Sequence, residues 1–392
     1  MTFFVYFFIF LSFMDFFAQL PIMSTYALNL GASEMFIGFI VGAYSFSNMF
    51  SNVISGQFVD QLGPKKVLTY GFVLNGLILF LYSIASTPNL LFIVRLAHGI
   101  SAGLLVPAAF TFVSIMNRDG ANKSGKKMAF SGAAVGIAAI MGPAFGGIVS
   151  KIAGSEWVFR LIGIPMIVSG LLTAFVFPNK KKESKTSAVP TRLFREYVLL
   201  FKKQGLLFAY FGALALMFSQ GILAYMLPLK VAYLQLEDHI SGLLMSTFGI
   251  IAILLFLLPT NKIFDWYKSE YLMIIGMGLI SLSLIGLSFA TKQHILFFIM
   301  GSYGAGFAFL FPSISALISR HSTREERGRA YGLFYGFFSL GSFAGSSITG
   351  ALSMTPSEGF LTAASLLVVV SLLIGCILYV EKKKANRKTI GI

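Results

Sequence analysis

Apolar runs of about twenty residues, broken by short polar gaps, follow one another along almost the whole 392-residue chain. A helix needs about that length to cross a hydrocarbon core of roughly 30 Å. The pattern predicts twelve spans, near 3–29, 35–57, 67–86, 90–116, 128–150, 157–178, 206–232, 241–261, 271–290, 295–318, 330–352 and 359–380. The longest polar stretch lies between the sixth and seventh runs, and there Leu193, Phe194, Val198 and Leu199 predict one apolar face of a short surface helix over Thr191–Lys203. The expected organisation is a six-helix bundle over 1–178, a linker over 179–204, a second bundle over 205–380 and a basic tail over 381–392.

Composition fixes the solvent. The chain is 56% hydrophobic and 11% charged, against about 25% charged in ordinary soluble domains. An all-α membrane protein is expected, with twelve transmembrane helices. A net charge of +15 would point to nucleic acid in a soluble domain, but here the lysines and arginines gather in alternate gaps, so no nucleic-acid partner is expected. Their bias places both termini and the linker in the cytoplasm. Cys376 is the lone cysteine, which leaves no intrachain disulfide and no Cys/His metal spacing. Neither metal nor cofactor is expected. The opening run lacks the basic leader of a secretory signal and is read as a retained span, and short loops suggest a bacterial inner membrane.

The halves repeat weakly. At an offset of 205 residues Asp60 matches Asp265, Phe92 matches Phe297, Gly99 matches Gly304, Pro107 matches Pro312 and Gly136 matches Gly341. A six-plus-six repeat joined by a linker is the plan of a rocking transporter with a cavity between its halves. The fold expected is therefore two pseudo-symmetric six-helix bundles.

Charges inside the apolar runs are scarce. Asp15 is the only acid well within one, and Arg95 is its only basic counterpart. Each costs at least about 2.5 to 3.5 kcal/mol to insert, so such groups face a cavity or a partner. At about 1.5 Å per residue the two differ in depth by only about 3 Å, so they are expected to meet across the first and fourth spans. His98 shares the face of Arg95, three residues on, and imidazole changes charge near neutrality. The trio suggests proton coupling, with Asp15 alternating between protonated and ionised forms. The competing readings are a static ion pair and, for His98, a hydrogen-bonded interior histidine.

Several motifs carry a family resemblance. The stretch GQFVDQLGPKK, with Gly56, Asp60, Gly63, Lys65 and Lys66, resembles the loop signature of the major facilitator superfamily between its second and third spans. A degenerate copy surrounds Asp265, where that family repeats it. RLAHGISAG, from Arg95 to Gly103, resembles a fourth-span pattern of its proton-coupled exporters. Gly142, Pro143, Gly146 and Gly147 resemble the G-P-x-x-G-G signature of its antiporter branches. Two departures stand out: Gln61 replaces the usual arginine of the loop signature, and Ala138 occupies a position where glycine is common. By its own chemistry the Gly56–Lys66 stretch reads as a tight turn with lysines suited to an anionic leaflet. The resemblance adds a latch role for Asp60, fastening the halves when the cavity faces outward.

The resemblance also names spans that line a cavity, in which Gln19, Thr25, Tyr44, Asn48, Gln220, Tyr225, Tyr303 and Tyr335 are the polar or amphipathic candidates. Interhelical packing is the alternative for each. A monomeric, proton-driven antiporter exporting a small organic molecule is the expected function, its cargo a drug or a secreted metabolite such as a metal-chelating siderophore or opine, and its other partners protons and membrane lipid. The alternatives are a proton-coupled importer of a small polar solute and an amphipathic lipid translocase. No enzyme motif such as H-E-x-x-H or G-x-S-x-G is present.

Overall fold

The computed structural model describes residues 2–116, 124–176, 198–257, 266–323 and 326–389, and among these there is no strand. Thirteen helices can be bounded: α1 (Thr2–Gln19), α2 (Met23–Asn29), α3 (Glu34–Leu62), α4 (Pro64–Tyr82), α5 (Pro88–Met116), α6 (Ser124–Ala153), α7 (Ser155–Val176), α8 (Gln204–Tyr233), α9 (His239–Leu257), α10 (Ser269–Phe289), α11 (Gln293–His321), α12 (Arg327–Ala351) and α13 (Pro356–Thr389). Eight are long and apolar enough to cross a membrane, and the bent pair Tyr6–Gln19 and Met23–Asn29, 49° apart, makes a ninth span. The expected count of twelve is therefore supported for nine by length and apolarity. Helix α9 is apolar but shorter over its described part. Helices α3 and α12 pack on each other, and faces turned to protein rather than lipid can be less apolar.

Local signals explain the helix ends. Ser33 caps α3 by accepting the Phe36 N–H, and T-x-x-E boxes precede α12 and α13, at Thr323–Glu326 and Thr355–Glu358. The Gly56–Lys66 stretch is more compact than the loop expected from sequence. Gly56 and Asp60 lie within α3, Gly63 alone turns the corner at φ +82°, and Pro64 opens α4. A positive φ at one position needs glycine, and proline suits a first helical turn. Lys65 is half-buried and Lys66 exposed in the first turn of α4. Asp265 and residues 191–197 of the expected surface helix lie outside the described residues; 198–200 are helical. Within the basic tail expected over 381–392, α13 continues as helix to Thr389, and Lys, Arg and Ala are good helix formers.

Helices α1 and α3–α7 pack mainly among themselves, as do α8–α13. Two seams join the groups, α3 against α12 and α6 against α9. In the first, Gly38 meets Gly350 so closely that a Cβ on Gly38 would stand 2.7 Å from the Gly350 Cα, and Ser45 donates to Ser342 at 3.0 Å. In the second, the Ser246 hydroxyl donates to the Ile140 carbonyl at 2.7 Å. Toward the end bearing the chain termini, Phe46 and Phe343 still touch, with ring centroids 4.9 Å apart. Further along α12, Gly336 and Gly332 border open space. The halves thus close at the end away from the termini.

Candidate functional site

Asp15 lies in the last turns of α1, fully buried. Its Oδ1 accepts from Gln19 Nε2 at 2.7 Å, and its Oδ2 accepts from Asn75 Nδ2 at 2.9 Å and meets His98 Nε2 at 2.8 Å. His98 Nδ1 in turn meets the Tyr82 hydroxyl at 3.0 Å. Four helices converge here, because α1, α3, α4 and α5 all contribute a side chain. Tyr44 of α3 stands edge-on to the His98 ring at 5.1 Å, and Tyr82 stacks on Phe159 at 4.1 Å. Ser101 donates to Asn75 Oδ1 at 2.5 Å, which fixes the amide so that its N–H side faces Asp15.

The expected direct meeting of Asp15 with Arg95 is corrected. Gln19 stands between them, donating to Asp15 and accepting from Arg95 Nη1 at 2.8 Å through its Oε1. Arg95 gives two of its other donors to the carbonyls of Ile40 at 3.2 Å and Val41 at 3.0 Å, and its guanidinium lies 5.1 Å from the Tyr44 ring. One short amide therefore links carboxylate and guanidinium, and both charges are hydrogen-bonded inside a low-dielectric interior where unpaired charges are costly. Sequence reasoning missed Asn75 and Tyr82. An asparagine inside an apolar run was the available signal, because a polar amide facing lipid is unfavourable.

The site opens onto a small pocket between the halves. Phe16, Gln19, Leu20, Met23, Val41, Tyr44, Ser45 and Arg95 line it from one side, and Gly221, Ala224 and Ser342 from the other. It lies at the break between α1 and α2, just beyond which Ser24 donates to the Tyr225 carbonyl at 3.0 Å. Of the eight expected wall residues, Gln19 and Tyr44 line this pocket. Thr25 bonds back to Ile22, Asn48 donates to the Gly99 carbonyl and holds α3 on α5, and Tyr303 pairs with Ser219 at 3.0 Å. Tyr225 donates across the halves to the Glu34 carbonyl at 2.7 Å, closing the far end. Gln220 is half-buried and Tyr335 exposed.

The G-P-x-x-G-G element works as a three-way contact. A Cβ on Gly142 would stand 2.6 Å from the Phe17 Cβ, and one on Gly146 would strike the Ala18 carbonyl, so α6 seats α1 directly behind the Asp15 turn. On the adjoining face the Pro143 carbonyl abuts Gly242 of α9, and a Cβ on Gly147 would approach the His239 carbonyl at 3.0 Å. The same four residues therefore touch both the buried carboxylate's helix and the opposite half.

The profile of the Major Facilitator Superfamily matches residues 5–309 and 209–391. The chain belongs to the Major Facilitator Superfamily. This superfamily member is a membrane-embedded transporter, not an enzyme. It is 27% identical over 356 residues to the quinolone resistance protein NorA of Staphylococcus aureus, covering 89% of this chain and 88% of NorA. It is 22% identical to an uncharacterized MFS-type transporter of Methanocaldococcus jannaschii, with 92% of each chain covered. The fold is shared with a mutant of the nucleoside transporter NupG, at a TM-score of 0.80, 17% identity and coverage of 96% and 99%. It is also shared with a bacterial homolog of the human lysosomal transporter Spinster in an inward-facing, unoccupied conformation, at a TM-score of 0.78, 13% identity and 95% of each chain.

Proposed function

We propose that this transporter is a proton-coupled antiporter that exports a small organic molecule, with Asp15, His98 and Arg95 as the coupling group. The observation that carries the reading is the bridge of Gln19, which belongs at once to the pocket wall and to the buried carboxylate. With Asp15 ionised, its three neighbours all serve as donors and the charge of Arg95 balances it. A proton arriving on Oδ2 needs an acceptor. His98 supplies one when its single N–H shifts from Nε2 to Nδ1, where it donates to the Tyr82 hydroxyl and leaves Nε2 free to accept. Protonation weakens the carboxylate as an acceptor for Gln19, so the amide can leave Arg95 and reshape the pocket.

Antiport follows if cargo and proton favour opposite arrangements of that amide, since a ligand shifts an equilibrium only by its differential affinity for two states. Positive charge along alternate gaps supports a cytoplasmic placement of both termini, with the bundle closed outside and open inside, in a bacterial inner membrane. In this arrangement Asp60 and Asp265 act as latches that engage when the cavity faces outward. NorA's role in quinolone resistance, the G-P-x-x-G-G element and the aromatic pocket flank of Phe16 and Tyr44 support drug export; a siderophore or opine is the other cargo class. The test uses inverted vesicles given an acid lumen and a fluorescent quinolone, beside extracellular metabolites collected from cells with and without the protein. Acid-driven uptake by wild type and its loss in Asp15→Asn support the reading. Equal transport by Asp15→Asn removes the coupling role, and accumulation by intact cells in place of efflux reverses the direction.

A further inference from the structure

An apolar groove lies between α10 and α13 near the end bearing the termini. Ile274, Leu372, Gly375, Cys376 and Tyr379 line it, leaving it open along one side and with almost no polar surface. Gly375 is why the groove exists, since a Cβ there would meet only the tip of Ile274, at 3.9 Å. The groove runs from Ser371 to Val380; at about 1.5 Å per residue that is roughly 15 Å, the depth of one leaflet of a core about 30 Å thick.

Its mouth has a different chemistry. Tyr379, Tyr271, Tyr267 and Trp266 are all substantially exposed at this end of the two helices, as side chains at a headgroup boundary are. One turn beyond Tyr379 on the same helical face lies exposed Lys383, and exposed Lys268 precedes the antiparallel α10 at the same end. In sequence, the end of α13 also carries Lys382, Lys384, Arg387 and Lys388, and the acids of the two helix ends are Glu270 on α10 and Glu381 on α13. The Oε2 of Glu270 is buried, and Glu381 sits about 200° around α13 from Tyr379, at 3.6 residues per turn. An apolar slot one leaflet deep, rimmed by aromatics and ending in basic side chains, matches one amphipathic molecule.

We propose that the α10–α13 groove binds an anionic phospholipid, with an acyl chain along Gly375 and Tyr379 and the phosphate at Lys268 and Lys383. The site is distinct from the inter-half pocket and does not depend on the direction of transport. Cys376, the chain's lone cysteine, lies in the groove and is exposed, so it reports occupancy directly. The experiment measures alkylation of Cys376 by N-ethylmaleimide in the detergent-solubilised full chain, with dioleoylphosphatidylglycerol or dioleoylphosphatidylcholine added in equal amounts. The expected result is at least fivefold slower alkylation with the anionic lipid than with the zwitterionic one. The double variant Lys268→Gln, Lys383→Gln, altered only at exposed positions, brings the two rates together. Equal protection by both lipids, protection by neither, or a preference that survives in the double variant overturns the proposal.

Discussion

The two halves share a plan at their centres, but only one of them is charged there. In the first half Asp15 of α1 bonds His98 of α5, with Tyr44 of α3 edge-on to the imidazole. In the second half Ser219 of α8 bonds Tyr303 of α11, with Phe248 of α9 edge-on to the phenol at 5.7 Å. Tyr303 follows His98 by 205 residues, the offset of the repeat, and Ser219 follows Asp15 by 204, one residue short of it. Met300 occupies the position 205 residues after Arg95. The duplicated scaffold holds a hydrogen bond between the same two helices in both copies, and only the first copy builds it from a carboxylate and an imidazole. Packing is repeated, whereas chemistry is not. The lesson is that a pseudo-symmetric bundle can keep the same packing in both halves and place its buried acid and histidine in only one of them.

The largest expected effect breaks that contrast directly. Asp15→Asn should reduce proton-driven efflux to the level of cells lacking the protein, whereas Ser219→Ala should leave coupling intact and cost about 1 kcal/mol of stability, the worth of one hydrogen bond. Vesicle transport and thermal unfolding, measured on both variants, check the pair. Gln19→Leu comes next. It leaves a carboxylate oxygen and a guanidinium N–H unpaired at about 1–3 kcal/mol, so efflux should fall by roughly 5- to 150-fold with less change in how much protein folds. A smaller effect, equal in both halves, is expected from packing. A Cβ on Gly146 strikes the Ala18 carbonyl and one on Gly345 strikes the Phe218 carbonyl, so Gly146→Ala and Gly345→Ala should each cost about 1–3 kcal/mol. Markedly unequal losses of melting temperature would show that the halves are not packed alike.

The smallest effect lies at the rim of the second half. The hydrogen bond from Lys203 Nζ, joined by the Thr323 N–H, pulls the Glu326 carboxyl down to about 2. Because the folded value is depressed, the stabilisation is present above the ordinary carboxylate range near 4.5 and is lost as pH falls toward 2. Glu326→Gln should flatten the acid limb of a stability profile between those values and change stability near neutrality by no more than about 1 kcal/mol, because the pair is partly solvated.

Particular residues show how far the sequence could be read. The twelve apolar runs placed the described helices to within a few residues, except α13, whose helix ran nine residues past the end of its apolar run because lysine and arginine continue a helix readily once hydrophobicity has ended. Asp15, Arg95 and His98 stood out because each is costly in hydrocarbon. Asn75 and Tyr82 did not, since the signal of a lone amide is weaker than that of a charge and a phenol in an apolar run is ordinary packing.

By itself, the sequence determined the medium, the helices and the existence of a buried charge that needed partners. Each of these is local: length against bilayer thickness, hydropathy, and the insertion cost of one ion. Tertiary structure alone decided which partner each charge received. Equal depth allowed Asp15 to meet Arg95 or His98, and helix rotation and the reach of Gln19 selected His98 directly and Arg95 through the amide. Depth is written along a chain, but azimuth is set only when helices pack against one another.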